Sequence, residues 1–390
     1  MTFVPLWYIL ITILWTGFFV LEGFDLGVGM LHGIVGKDDA GKRAVINTIG
    51  PLWDGNEVWL IVAAAAMFAA FPGWYATMFS AFYLAMVLLL CALIVRGVSF
   101  EYRGKSPRER WRGTWDWLLA VGSLLVPFVI GVALGDLLHG LPINSSHDYT
   151  GTFWGLFQPY AILTGIMLVA VCLMHGGAFI AMKTEGEVRA RAWRIAKLVS
   201  PFTALLVLAF IGWTHVEAHG GAFLNLIELI ACIAVLAGVL AVTGNYVGWG
   251  FTATTITIAS CIVTLFVDLY PRVMVSSTNP AYSLTVNNTA SAGYTLKVMS
   301  VIALVLLPLV LGYQAWTYYV FRRRVSVHHF RPGGAPSMAA SPETAAPATA
   351  PAPRPPVTSS GPQEAVPAGP RPAPAAPRRG GRHRHWRGKA

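Results

Sequence analysis

Charge is what this chain has least of. Asp, Glu, Lys and Arg make up 12% of its 390 residues, while 55% are hydrophobic. A soluble domain carries about 25% charged residues, so the shortage excludes an ordinary water-soluble fold. Cysteine is scarce too. Cys91, Cys172, Cys232 and Cys261 stand singly inside apolar runs with no CxxC spacing. That argues against a disulfide framework or a metal site and leaves them as small buried hydrophobes. Zinc-ligand spacing, a phosphate-binding glycine loop and a reactive-serine triad are all missing. The apolar runs are too long and too numerous for a signal peptide plus a soluble core. The class that remains is an all-α polytopic membrane protein.

The net charge of +10 is not spread along the chain. From Arg322 onward there are twelve Lys/Arg and two Asp/Glu, and before it sixteen of each. The basic character therefore belongs to the tail, and the apolar body has no signature of nucleic-acid binding. The stretch 325–390 is rich in Pro and Ala and ends PRRGGRHRHWRGKA. It cannot bury enough apolar surface to fold and reads as a disordered tail. Its basic end suits either anionic lipid headgroups or plain solvation.

Nine apolar segments follow one another at 6–33, 48–71, 75–98, 115–138, 154–182, 198–217, 222–244, 249–270 and 295–320, each near the ~20 residues that cross a bilayer. Loops 34–47, 99–114 and 183–197 hold Lys and Arg, and Arg322–Arg324 follow the ninth segment. Loops 72–74, 139–153 and 218–221 hold none, and loop 271–294 has only Arg272. Lys and Arg are retained on the cytoplasmic side, so the N-terminus is expected outside and the C-terminus inside. The expected organisation is a first four-helix unit at 1–138, an outside loop at 139–153, a second four-helix unit at 154–270, an outside loop at 271–294, a ninth helix at 295–324 and the tail. The loop 271–294, rich in Ser, Thr and Asn, suits either a packed cap or a mobile connection. Segment one ends LEGFDLGVGMLHG and segment five ends CLMHGGAFIAMKTEG, a weak internal repeat of glycine-studded helices. The spacings Gly23-x-x-x-Gly27 and Gly29-x-x-x-Gly33 allow close helix approach.

The polar groups inside the apolar segments carry the functional argument. Gly50–Leu60 reads GPLWDGNEVWL at the head of an apolar run that continues to Phe71. An ionised carboxylate at mid-bilayer costs roughly 3 kcal/mol on insertion scales, so Asp54 and Glu57 should face protein or water. With the expected topology, Glu22 and Asp25 of segment one, Trp53, Asp54 and Glu57 of segment two and Arg96 of segment three all lie toward the cytoplasmic side. Glu22 and Asp25 share a helix face, as do Asp54 and Glu57. Four acids around one arginine read as a proton-entry cluster, with Arg96 as the tuning partner. The plainer reading makes Asp54 a first-turn acid after Pro51 and leaves Glu57 or Asp25 to neutralise Arg96.

The histidines argue against haem in this chain. A bis-histidine haem needs two histidines at one depth. Only His32 and His175 are placed to approach, whereas His139, His215 and His219 fall at outer ends. His175 reads as a hydrogen-bonded packing residue. Asp136, Glu217 and Asp268 read as helix-end acids beside water, with Glu228 deeper. Trp7, Tyr8, Trp74, Tyr75, Trp316, Tyr318 and Tyr319 fit interfacial belts.

LEGFDLGVGML, GPLWDGNEVWL and the IVRGVSFEYR of 94–103, in that order and with HGGAFIAMKTEG in segment five, resemble subunit II of the cytochrome bd-type quinol oxidases over roughly 1–320. The resemblance implies a respiratory terminal oxidase of the bacterial plasma membrane that oxidises membrane quinol and reduces dioxygen to water. It implies two four-helix bundles plus a ninth helix, paired as a pseudo-symmetric heterodimer with subunit I. Two b-type haems, one haem d and the quinol-oxidising loop would belong to that partner, and none of these haems to this chain. Small accessory subunits are further candidate partners, and some members hold a structural quinone in this subunit. The resemblance places Asp54 on a proton path at the subunit interface, with Asp25, Trp53, Glu57 and Arg96 at neighbouring motif positions; Glu22 joins them as a path candidate by depth. A proton-coupled secondary transporter is the rival reading, but it would favour broken helices near the midplane. A di-haem cytochrome b anchor is the third, disfavoured by histidine depth.

Overall fold

A computed structural model describes residues 3–218 and 224–330. His219 and the tail beyond 330 lie outside the described residues. The chain forms α1 (Phe3–Val35), α2 (Asp39–Asn47), α3 (Trp53–Ala70), α4 (Pro72–Ala81), α5 (Tyr83–Tyr102), α6 (Glu109–His139), α7 (Pro159–Lys183), α8 (Gly186–Ala218), α9 (Leu226–Thr243), α10 (Val247–Leu269), α11 (Val286–Thr289) and α12 (Gly293–Val320). Among the described residues, eight helices are long and apolar enough to cross a membrane. The expected second segment is α3, which is not among those eight: its first two turns hold Asp54, Asn56 and Glu57 and dilute an otherwise apolar helix of 18 residues.

The boundaries differ from the hydropathy reading in three places. The third segment is broken at Phe82 into α4 and α5. Loop 34–47 contains α2, capped by Asp38, whose carboxylate accepts from the Gly41 N–H at 2.8 Å. Loop 183–197 is mostly the beginning of α8, which continues without interruption into the membrane-length stretch. Hydropathy marks where a helix enters an apolar medium, and a helix does not have to end there.

Helix α1 is the hub, packing on α2, α3, α6, α7, α10 and α12. The two helices of the internal repeat, α1 and α7, cross each other at glycine. A Cβ on Gly27 would meet the Gly176 Cα at 2.7 Å, so the backbones touch and no side chain fits between them. Gly29 is closed off by Ser123 of α6, while Gly33 has open space around it and is not a packing position. Gly131 of α6 meets Gly165 of α7 in the same way, its Cβ position 2.6 Å from the Gly165 Cα.

Helix α12 is different. It lies against α1 and α3, and Leu296 is its single buried residue. Loop 271–294 is a folded cap. Its strands β1 (Arg272–Met274) and β2 (Leu284–Thr285) pair antiparallel. Val275 donates its N–H to Leu137 O at 3.0 Å, and the Ser291 hydroxyl donates to Ala69 O at 2.7 Å, tying the cap to α6 and α3.

Several aromatic and acidic side chains stand elsewhere than expected. Trp7, Tyr8 and Trp74 are core residues, not belt residues: Trp7 Nε1 donates to Leu296 O at 3.1 Å and the Tyr8 hydroxyl to Phe266 O at 2.6 Å. Trp316 and Tyr319 are exposed, as a belt requires. Asp136 is fully buried rather than beside water. Glu228 is not deep along its helix. It is the third residue of α9, closes a capping box with Asn225 and pairs with His215 Nδ1 at 3.0 Å. The four cysteines are free thiols; Cys172 and Cys261 are buried, while Cys91 is exposed on α5.

Candidate functional site

Three helices bring the acids and the arginine together. Arg96 of α5 is completely buried and holds two carboxylates: its Nη2 lies 2.6 Å from Glu22 Oε1 of α1, and its Nη1 donates to Glu57 Oε2 of α3 at 2.9 Å. Its approach is made possible by α6, where a Cβ on Gly122 would come within 3.2 Å of the Arg96 Cβ. The guanidinium also lies over the Phe100 ring at 5.4 Å from its centroid, and Trp53 packs on the same ring at 4.9 Å between centroids. Trp53 therefore reaches Arg96 through Phe100.

Asp25 does not pair with Arg96 as the plainer reading allowed; its partner is an amide. Asn56 Nδ2 donates to Asp25 Oδ2 at 2.6 Å and, at 3.3 Å, to Leu21 O. Asn56 Oδ1 accepts from Gln314 Nε2 and from the Tyr318 hydroxyl, both at 2.9 Å. Asn56 is fully buried and uses both ends of its side chain. The two donors come from α12, the helix with almost no buried surface. Tyr318, expected in an interfacial belt, is instead half-buried at this junction.

The four acids form a gradient of exposure. Asp54 is exposed and, among the described residues, has no ion pair or hydrogen bond. The Glu57 side chain is 21% exposed, and Glu22 and Asp25 are fully buried. One turn of α3 separates Asp54 from Glu57. Glu22, Asp25, Trp53, Asp54, Glu57 and Arg96 are conspicuous in the sequence, whereas Asn56, Gln314 and Tyr318 are not marked there as members of the site. An amide at the head of an apolar helix was the available signal, because it must find partners away from water. The identity of those partners depends on a helix more than 250 residues later.

A second charged cluster stands where α2 meets α5 and α6. Asp116 receives Arg103 Nε at 2.5 Å, Lys42 Nζ at 3.0 Å and His32 Nε2 at 3.2 Å. Asp39 receives Arg103 Nη2 at 2.9 Å and Arg112 Nη1 at 3.2 Å. His32 Nδ1 contacts Gly29 O at 2.7 Å, so both its ring nitrogens are engaged. His175 is in the same position, with Nδ1 at 2.7 Å from Thr254 Oγ1, Nε2 at 3.3 Å from Val20 O and the ring stacked on Phe251. Neither histidine presents an open nitrogen to a haem iron. Among the described residues, no three His, Cys, Asp or Glu side chains gather as a metal site.

A multi-pass helical bundle with an arginine and carboxylates buried at a three-helix junction defines a polytopic membrane protein that keeps paired charge inside its helices. Residues 4–321 match the family described as cytochrome bd terminal oxidase subunit II. The chain is 44% identical over 326 residues to the cytochrome bd ubiquinol oxidase subunit 2 of Bacillus subtilis (strain 168), spanning 82% of this chain and 96% of that protein. It is 36% identical over 359 residues to the cytochrome bd-I ubiquinol oxidase subunit 2 of Escherichia coli (strain K12), spanning 82% and 94%. In fold it is similar to a chain of the bd oxidase from Geobacillus thermodenitrificans, with a TM-score of 0.62 at 14% identity over 82% of this chain and 98% of that one. The chain belongs to the cytochrome bd terminal oxidase subunit II family. It is thus a subunit of an oxidoreductase complex and a multi-pass protein of the bacterial plasma membrane.

Proposed function

We propose that this chain is the subunit without haem ligands in an oxidase that passes electrons from membrane quinol to dioxygen, and that its acid cluster lies on the path by which cytoplasmic protons reach the chemistry. In this reading α3 is a ninth span, the N-terminus is outside, and units 1–138 and 154–270 are the two four-helix bundles, followed by the helix 295–324. The partner is subunit I, which would carry two haems b and one haem d; accessory subunits are further partners. The apolar groove of about 500 Å³ between α1 and α10 has its Tyr8 and Thr12 hydroxyls already donated to backbone carbonyls.

The observation that carries the proposal is the charge balance at Arg96. One guanidinium faces Glu22 and Glu57, with Asp25 a turn away on α1, and Arg96 is the only cation paired there among the described residues. Neutrality of three carboxylates against one arginine requires two protons, and an uncompensated buried charge costs several kcal/mol. A site that must hold protons, and is graded in exposure from Asp54 through Glu57 to Asp25 and Glu22, is equipped to take them up and pass them on. In turnover, Asp54 would collect a proton at the exposed end and Glu57 would relay it. Asn56 would orient Asp25, while Arg96 would keep the relay from closing into an all-neutral trap.

The test is Asp54→Asn and Glu57→Gln in the assembled oxidase. Quinol-driven oxygen consumption is expected to fall about tenfold, equivalent to ~1.4 kcal/mol of barrier, with haem content unchanged. Normal turnover in both variants would end the proton-path assignment. Loss of haem would show that these acids hold the complex together instead.

A further inference from the structure

We propose that the notch between α8 and the α9–α10 turn binds the headgroup of an anionic phospholipid, with its acyl chains lying along the exposed faces of α8 and α10.

The level of the notch is set by geometry. Helix α9 ends at Thr243 and α10 begins at Val247, so their tight turn marks one surface of the bundle. Asn245 takes the left-handed conformation there, with φ of 66°. Its Oδ1 accepts from Trp193 Nε1 of α8 at 3.1 Å, which brings that turn of α8 to the same surface. Helix α8 has 33 residues, well beyond the ~20 that cross hydrocarbon. Its first part therefore stands among headgroups.

The chemistry of the notch is cationic. Arg189, Trp193 and Lys197 recur at i, i+4 and i+8 on α8, and Arg194 flanks them. With Asn245 and Val247 they line a cavity of about 450 Å³ that no carboxylate borders. Among the described residues, none of the Arg189, Arg194 and Lys197 side chains has an ion pair or a hydrogen bond. The contrast is with Arg103, Lys42 and Arg112 at the second charged cluster, which are all matched to Asp39 or Asp116. Immediately beyond the cations the surface becomes apolar. Leu198 is 78% exposed, and Phe202 and Leu205 continue the stripe down α8. Trp249 is 72% exposed on α10. Three unmatched cations with a fixed tryptophan beside them, directly above an exposed apolar stripe, complement a phosphate with two acyl chains. A zwitterionic headgroup brings its own ammonium into a notch that has no carboxylate to receive it, so the geometry selects phosphatidylglycerol or cardiolipin chemistry.

The test uses the whole oxidase in nanodiscs with photoactivatable phosphatidylglycerol or the matching phosphatidylcholine as probe, and peptide mapping of the cross-links. The phosphatidylglycerol probe is expected to label 193–205 or 245–256 several-fold more than the phosphatidylcholine probe. Arg189→Gln, Arg194→Gln and Lys197→Gln together are expected to remove that preference. Lys105→Gln, Arg108→Gln and Arg110→Gln together are expected to leave it unchanged. Should the first triple variant not assemble, the single charge reversal Arg194→Glu, at an exposed position, is expected to reduce labelling. Equal labelling by the two lipids, labelling unaffected by the α8 substitutions, or labelling confined to another subunit would overturn the proposal. Complete displacement by soluble glycerol phosphate would assign the notch to a free phosphate and overturn the lipid.

Discussion

Asn56 Nδ2 donates to Asp25 Oδ2 at 2.6 Å, and this bond links a fully buried acid of α1 to α12, the membrane-length helix with the least buried surface, through the other end of the same amide. Because Gln314 and Tyr318 both donate to Asn56 Oδ1, the amide is fixed with its NH₂ toward Asp25. Asn56 is thus a positioning residue whose orientation is held from α12.

Removing one donor should loosen that orientation without dismantling the site. Tyr318→Phe is expected to cost about 1 kcal/mol of stability and to leave haem content normal, while changing the pH profile of oxygen consumption. Asn56→Leu removes the amide hydrogen bond to Asp25 Oδ2 and strands the donors on α12. It is expected to cost more, about 1–3 kcal/mol for each group left unsatisfied. Thermal unfolding of the purified complex measures the first quantity and oxygen electrode traces at varied pH the second. Identical behaviour of the two variants would argue against an orienting role.

Arg96→Gln leaves Glu22 and Glu57 facing each other with no cation between them. Breaking a buried pair in this way costs about 3–5 kcal/mol, so the yield of assembled, haem-loaded oxidase is expected to collapse. The combination Arg96→Gln with Glu22→Gln restores charge balance and is expected to recover assembly but not turnover. The reduced-minus-oxidised spectrum reports assembly, and quinol-driven oxygen uptake reports turnover.

Glycines of similar spacing in α1 should respond in opposite ways. Gly27→Leu places a side chain where Gly176 of α7 lies against the backbone and is expected to prevent folding. Gly33 has nothing within 4 Å of a Cβ position, so Gly33→Ala is expected to be tolerated and to stabilise α1 by up to about 1 kcal/mol. Expression level and thermal unfolding distinguish the two.

Much of this protein was readable in order of residues. The shortage of charge and the length of the apolar runs determined that the chain is a bundle of membrane helices, because a lipid-facing backbone must satisfy its own hydrogen bonds. The alternation of basic and non-basic loops set the expected topology, and the three motifs set the family. The acids and Arg96 were also found as candidates, since a charge in an apolar run is conspicuous and costly.

Only the tertiary structure decided how those groups pair. Glu22 and Glu57, not Asp25, hold Arg96, and Asp25 belongs to Asn56. Pairing depends on how α1, α3 and α5 rotate against one another and on the close approach of α5 to Gly122 of α6. The same packing turned Trp7, Tyr8 and Trp74 inward and left α12 outside with only Leu296 buried. Hydropathy records that a residue leaves water, but the atoms it then meets depend on shape complementarity between segments far apart in the chain. For that reason the cluster was legible as a list of residues, and its connection to Gln314 and Tyr318 was not.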